Sequence, residues 1–216
     1  MIAFYIFLSF LFPFLWIFYF NKKDKNPEPL LWLVFAFFLG TISAFISYYF
    51  QKNLSLFLIE NWSRYLIFAL IEEFFKFFLI WLFIFPQKVV DEHIDAMIYM
   101  MFSALGFAFS ENLFIALNKN TTYVIPTLVY RFFGANFLHI LASSLIGYGY
   151  AFSMKTRRLF PLIASFTAGT FLHFLYNYII ISLTAGFILI LPILWTSFLV
   201  VLSELNYLAQ NGRGKA

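Results

Sequence analysis

No cysteine occurs in the 216 residues, which excludes a disulfide framework, a thiolate metal site and a cysteine nucleophile. Charge is also scarce, with Asp, Glu, Lys and Arg making up 11% of the chain. No basic run has the length or aromatic interleaving that nucleic-acid binding uses. The net charge of +4 therefore reflects loop lysines and arginines, and no nucleic-acid partner is expected. Internal repeats and low-complexity linkers are absent as well, so one membrane domain over 1–216 is the economical organisation. What is abundant is apolar: 63% hydrophobic residues, 34 of them Phe, and a mean hydropathy of +0.87. A water-soluble domain of this composition would expose more apolar surface than water tolerates. The expected fold is all-α, a polytopic transmembrane helical bundle in the cell membrane with the lipid bilayer as its surroundings.

About twenty apolar residues cross a bilayer core. The pattern predicts seven spans, near 2–20, 30–50, 64–86, 93–117, 129–152, 160–181 and 185–205. The first has no basic residue before it and no small-x-small cleavage site after it, and reads as an uncleaved span rather than a secretory signal. Turn-forming sequences separate the spans, among them "NKKDKNPEP" at 21–29 and "KTRRLFP" at 155–161. The stretch 51–63 is too short to span and is expected to lie along the interface. Pro126 is expected to mark a break before the fifth span. With the N-terminus outside, Lys22, Lys23, Lys25, Lys88, Lys155, Arg157, Arg158, Arg213 and Lys215 fall on the cytoplasmic side, and only Lys52, Arg64 and Lys119 outside. That asymmetry predicts N-terminus out and C-terminus in.

Ionisable groups within spans are costly and point to function unless they are paired. In this topology they agree in depth. Glu72 and Glu73 lie roughly 15 Å below the outer surface, Glu111 and Asn112 roughly 9 Å, His139 roughly 14 Å, His173 roughly 12 Å and Asn177 roughly 6 Å, at 1.5 Å per helical residue. Lys76 follows Glu72 by four residues and Glu73 by three, so it can reach either carboxylate. The two glutamates differ by about 100° around the helix. One therefore faces a cavity while the other pairs with Lys76, and the chemistry is assigned to Glu72 and the support to Glu73. Carboxylates beside imidazoles are equipment for activating water, by general base catalysis or on a metal.

Bland alternatives exist for each group. Glu72, Glu73 and Lys76 could form a neutralised structural cluster, His139 could be a packing residue, and His173 with Asn177 an interhelical hydrogen-bond pair. Arg131 either snorkels to the outer interface or pairs with Glu111. Asp95 and Tyr99, near the cytoplasmic end of their span, read as structural. Gly134, Gly147, Gly149 and Gly169 read as sites of close helix approach.

Four motifs occur in order on successive spans: "EEFFK" at 72–76, "DAMIYMMFSALGFAFSEN" at 95–112, "HILAS" at 139–143 and "HFLYN" at 173–177. Together they resemble the PrsW family of intramembrane proteases, over roughly 64–181, with 2–50 and 185–205 as flanking spans. The resemblance implies an intramembrane endopeptidase that cuts a membrane-anchored protein, such as an anti-sigma factor, on its extracytoplasmic side. A more distant likeness to the CAAX-type prenyl-protein proteases implies water activation at Glu72, help from Glu111, and oxyanion support from His173 and Asn177. There the carboxylate of Glu111 stands where that type has an imidazole, and His139 is a candidate to supply the imidazole. The implied catalytic set is Glu72, Glu73, Lys76, Glu111, His139, His173 and Asn177. Glu72, Glu111, His139 and His173 are candidate ligands for a divalent metal such as zinc, and a glutamate-only mechanism stands as the alternative. A third likeness, to the scaffold subunit of gamma-secretase, keeps a non-catalytic scaffold or chaperone subunit open. A transporter is a further class, but repeated halves and broken paired helices are not evident.

Overall fold

A computed structural model describes Phe4, Phe7 and Ser9, and residues 26–55, 61–118, 121–183 and 186–211. Most of the expected first span at 2–20 lies outside these residues, as do Lys22, Lys23, Lys25, Lys119, Arg213 and Lys215. Seven helices follow among the described residues: α1 (Leu30–Leu54), α2 (Asn61–Phe83), α3 (His93–Asn118), α4 (Thr121–Phe133), α5 (Ala135–Thr156), α6 (Phe160–Ser182) and α7 (Gly186–Asn211). By length and composition, α1, α3, the α4–α5 segment and α7 are each able to cross a membrane. At 23 residues, α2 and α6 have a comparable length, but they carry the polar residues described below.

Helix α3 is the centre of the bundle. Its residues from Ile94 to Ala108 are buried without interruption, as befits a helix apolar on all sides. Lipid tails are as apolar as Leu, so helices in a bilayer gain little by merely hiding apolar surface from one another. Close backbone packing does the work instead. At Gly40 an added Cβ would lie 1.8 Å from the Ser103 carbonyl oxygen, and at Gly106 one would lie 1.8 Å from that of Phe37. Helices α1 and α3 therefore touch backbone to backbone. Gly147 brings α5 similarly close to Ala96 and Met97, and Gly169 brings α6 to the Ala142 carbonyl.

Two expectations need correction. The stretch 51–63 is not one interfacial segment: 51–54 complete α1, and 61–63 open α2. No Pro or Gly lies in 41–54 to stop α1, and Lys52 sits in its last turn, where it suits the helix dipole. Pro126 lies inside α4, and the break falls at Gly134. The backbone leaves helical angles there (φ −111°, ψ −92°), and an added Cβ would meet the Tyr176 hydroxyl at 2.4 Å. Crowding by α6, rather than a missing N–H, sets the position of the turn.

At the far end of α3, Asp95 accepts the backbone N–H groups of Asp91 (2.9 Å) and Glu92 (2.7 Å), capping the helix. The Tyr99 hydroxyl donates to Glu28. Both residues fit the structural role expected of them.

Candidate active site

Helices α2, α3, α5 and α6 bring Glu72, Glu73, Lys76, Glu111, His139 and His173 into one connected network. Glu73 is fully buried, and each of its oxygens is engaged. Oε1 accepts from Lys76 Nζ (2.6 Å) and His173 Nδ1 (2.8 Å), and Oε2 accepts from the Ser143 hydroxyl (3.0 Å). Lys76 is equally buried. Its ammonium also meets His139 Nδ1 at 3.3 Å and lies 4.8 Å from the Phe107 ring centroid.

These contacts set the tautomers. An ammonium has no lone pair, so His139 Nδ1 accepts from Lys76, and its Nε2–H donates to Glu111 Oε2 at 2.8 Å. Glu111 is held in turn by Arg131 Nη2 at 2.7 Å, while Arg131 Nε donates to Asn112 Oδ1 at 2.6 Å. Arg131 thus takes the paired course of its two alternatives. Each imidazole has its own carboxylate, Glu73 for His173 and Glu111 for His139, an arrangement that fixes ring orientation and proton position.

Glu72 is the carboxylate left facing the centre. Oε1 accepts from Gln51 Nε2 on α1 at 2.7 Å. Oε2 is buried, has no hydrogen-bond partner and lies 3.4 Å from His173 Nε2. With the Nδ1 proton of neutral His173 committed to Glu73, Nε2 presents a lone pair as well. Two lone pairs facing each other at this distance need a shared proton or a cation. The charge balance agrees: Glu72, Glu73 and Glu111 face Lys76 and Arg131, so one negative charge stays uncompensated while the imidazoles are neutral.

Glu72, His139 and His173 each offer a potential ligand atom, all within 4.8 Å of one another. Two ligand atoms about 2.0–2.1 Å from a tetrahedral zinc lie roughly 3.3–3.4 Å apart, which matches the 3.4 Å between Glu72 Oε2 and His173 Nε2. The donor set of Glu72, His139 and His173 therefore fits a divalent cation. Glu111 is not in this trio and stands one step behind it.

Two cavities meet here. A cavity of about 660 Å³ between α3, α4, α5, α6 and α7 is lined by His139, His173, Arg131, Tyr176 and Asn177. One of about 220 Å³ between α1 and α3 ends on Glu72 and Gln51. Glu111 lines both. Asn177 faces the larger cavity, one turn on from His173. Gln51 is not singled out by the sequence, because a stretch as short as 51–63 reads as interfacial. An unbroken α1 carried on to 54 would have brought it near the depth of Glu72.

The family profile described as PrsW family intramembrane metalloprotease matches residues 28–203. The chain belongs to the PrsW family. It is 27% identical to Protease PrsW of Oceanobacillus iheyensis over 89% of this chain and 90% of that protein. Identity to Protease PrsW of Geobacillus kaustophilus is 29%, over 76% of this chain and 74% of the relative. For Protease PrsW of Bacillus subtilis it is 29%, over 81% of each. No solved structure matches the chain. Membership in the PrsW family makes the chain a multi-pass membrane protein of an intramembrane protease family.

Proposed function

We propose that the chain is an endopeptidase that cuts a single-span, membrane-anchored protein near the extracytoplasmic end of its span, and that Glu72 activates the attacking water. The observation that carries this reading is the unpartnered Glu72 Oε2, aimed at His173 Nε2 from 3.4 Å. A water at that point gives its proton to this pair as its oxygen bonds to the peptide carbonyl carbon. As the alternative to this glutamate-only step, Glu72, His139 and His173 would hold a divalent cation, which would supply Lewis-acid polarisation of the water or the carbonyl. Glu73 keeps His173 in the tautomer whose Nε2 lone pair faces Glu72, and Glu111 and Lys76 fix the tautomer of His139. Gln51 holds the other oxygen of Glu72. Asn177 donates its side-chain amide to the developing oxyanion, and its place in the His173 cavity supports this. The C–N bond then breaks, and the proton taken up by the Glu72–His173 pair passes to the leaving amine. The larger cavity supplies water at this depth.

The positive-inside bias supports an extracytoplasmic site, since it puts the Asn118 end of α3 outside. A membrane-anchored anti-sigma factor is the substrate that the family resemblance implies. The test uses purified protein reconstituted with such a substrate. Wild type is expected to cut near the extracytoplasmic end of the span, and Glu72→Gln to lose at least a thousandfold in rate, about 4 kcal/mol. Cutting by Glu72→Gln at the wild-type rate would sink the proposal.

A further inference from the structure

We propose that the cavity between α1 and α3 receives one large apolar side chain of the substrate's membrane span, next to the bond that is cut. The inference rests on the protease reading and adds a specificity site to it. The walls are Ala44, Phe45 and Tyr48 from α1 and Phe107, Phe114 and Ile115 from α3. The floor is Glu72 with Gln51, so whatever fills the cavity touches the proposed reacting centre. Its mouth faces outward from the bundle: Phe45, Tyr48 and Phe114 are 57%, 50% and 45% exposed, and the Tyr48 and Phe114 rings meet across it at 5.2 Å.

Size and chemistry identify the occupant. An apolar cavity of about 150 Å³ holds a benzene-sized group. The 220 Å³ here therefore accommodates one Leu or Phe side chain and not two. A free polar molecule would gain little from aromatic and aliphatic walls, and a lipid chain would cover the carboxylate that needs water. A transmembrane segment brings an apolar side chain and a peptide bond together. Glu72, Gln51 and Glu111 stand beside the apolar walls, where that peptide bond would lie, and Ser47, Ser110 and the Tyr48 hydroxyl are the other polar groups of the lining. Backbone contact at Gly40 and Gly106 keeps α1 against α3 just beyond the cavity and limits its depth.

The test uses a panel of otherwise identical single-span substrates whose residue flanking the cut is Ala, Leu or Phe. Wild type is expected to cut the Leu and Phe forms at least tenfold faster than the Ala form. Ala44→Phe, which fills the cavity from α1, and Ile115→Trp, which narrows it from α3, should lose that preference and cut the Leu and Phe forms no faster than the Ala form. An unchanged Ala, Leu and Phe ranking in both variants overturns the pocket and leaves the protease reading intact. If wild type cuts none of the panel, the protease reading fails, and a second measurement judges the pocket. Benzoylphenylalanine at position 114 should photocrosslink to the Leu and Phe spans, and Ala44→Phe should abolish the crosslink. Absence of any crosslink overturns the pocket.

Discussion

Glu72 Oε2 and His173 Nε2 face each other at 3.4 Å with no hydrogen-bond partner on the carboxylate oxygen, whereas the adjacent Glu73 has both oxygens engaged. Two neighbours in the sequence are thus placed in opposite circumstances, and different consequences follow for each.

Glu73→Gln is expected to impair folding as well as cutting. It leaves the buried Lys76 ammonium without its counter-charge, a loss of about 3–5 kcal/mol for a broken buried pair. Glu72→Gln breaks no buried ion pair and should melt near the wild-type temperature. Thermal melting in detergent separates the two; equal melting temperatures for both variants would contradict the division of roles. The double variant Glu73→Gln/Lys76→Met should melt above either single change, since neither charge is then stranded.

Elemental analysis of the purified protein is expected to find one divalent cation per chain. His173→Ala and Glu72→Ala should lose it. Glu111→Gln should retain it more weakly, by about 10–100-fold in affinity, because Glu111 acts by orienting His139. A fully active protein free of metal would decide for the glutamate-only mechanism.

Gln51→Ala removes a hydrogen bond to a charged group, worth about 1.5–3 kcal/mol. If Gln51 aims Glu72, kcat should fall about tenfold or more with KM little changed. A rise in KM at constant kcat would instead make Gln51 a substrate contact. Steady-state cutting of one substrate by wild type and variant provides both numbers.

Gly106→Ala is expected to be severely destabilising, although it adds a single methyl group. The new Cβ would fall 1.8 Å from the Phe37 carbonyl oxygen, so α1 and α3 must separate. Melting in detergent should drop well beyond what an exposed helix Gly→Ala exchange produces, and an unchanged melt would contradict the backbone contact.

The absence of cysteine makes topology directly measurable. Lys88→Cys should react with a membrane-impermeant thiol reagent only from the cytoplasmic side, and Asn118→Cys only from outside. Labelling of the two from the same side would overturn the orientation.

Much of this site was legible in the residues. Scarce charge against an apolar background made Glu72, Glu73, Lys76, Glu111, His139 and His173 conspicuous, because burial of an ionisable group has a cost that only pairing or use offsets. Helical spacing showed that the two glutamates could not share a direction. It could not say which would meet Lys76, since separations of three and four residues both permit contact. Ser143 and His173, from two other helices, decide that by surrounding Glu73. Gln51 was missed because a polar stretch at a span's end looks interfacial until the helix is known to continue. Pro126 drew attention from Gly134 for a related reason: the proline's effect is local, while the turn is set by Tyr176 on a distant helix.

By itself, then, the sequence determined the membrane-helical class, the approximate places of the helices from residue 30 onward and the list of expensive polar groups, because hydropathy and charge are properties of single residues and short windows. Only the tertiary structure decided which carboxylate stands free, which proton each imidazole holds, and that α1 supplies both a partner for Glu72 and a wall of the neighbouring cavity. Those are relations between helices remote in the chain, fixed by how closely their backbones approach.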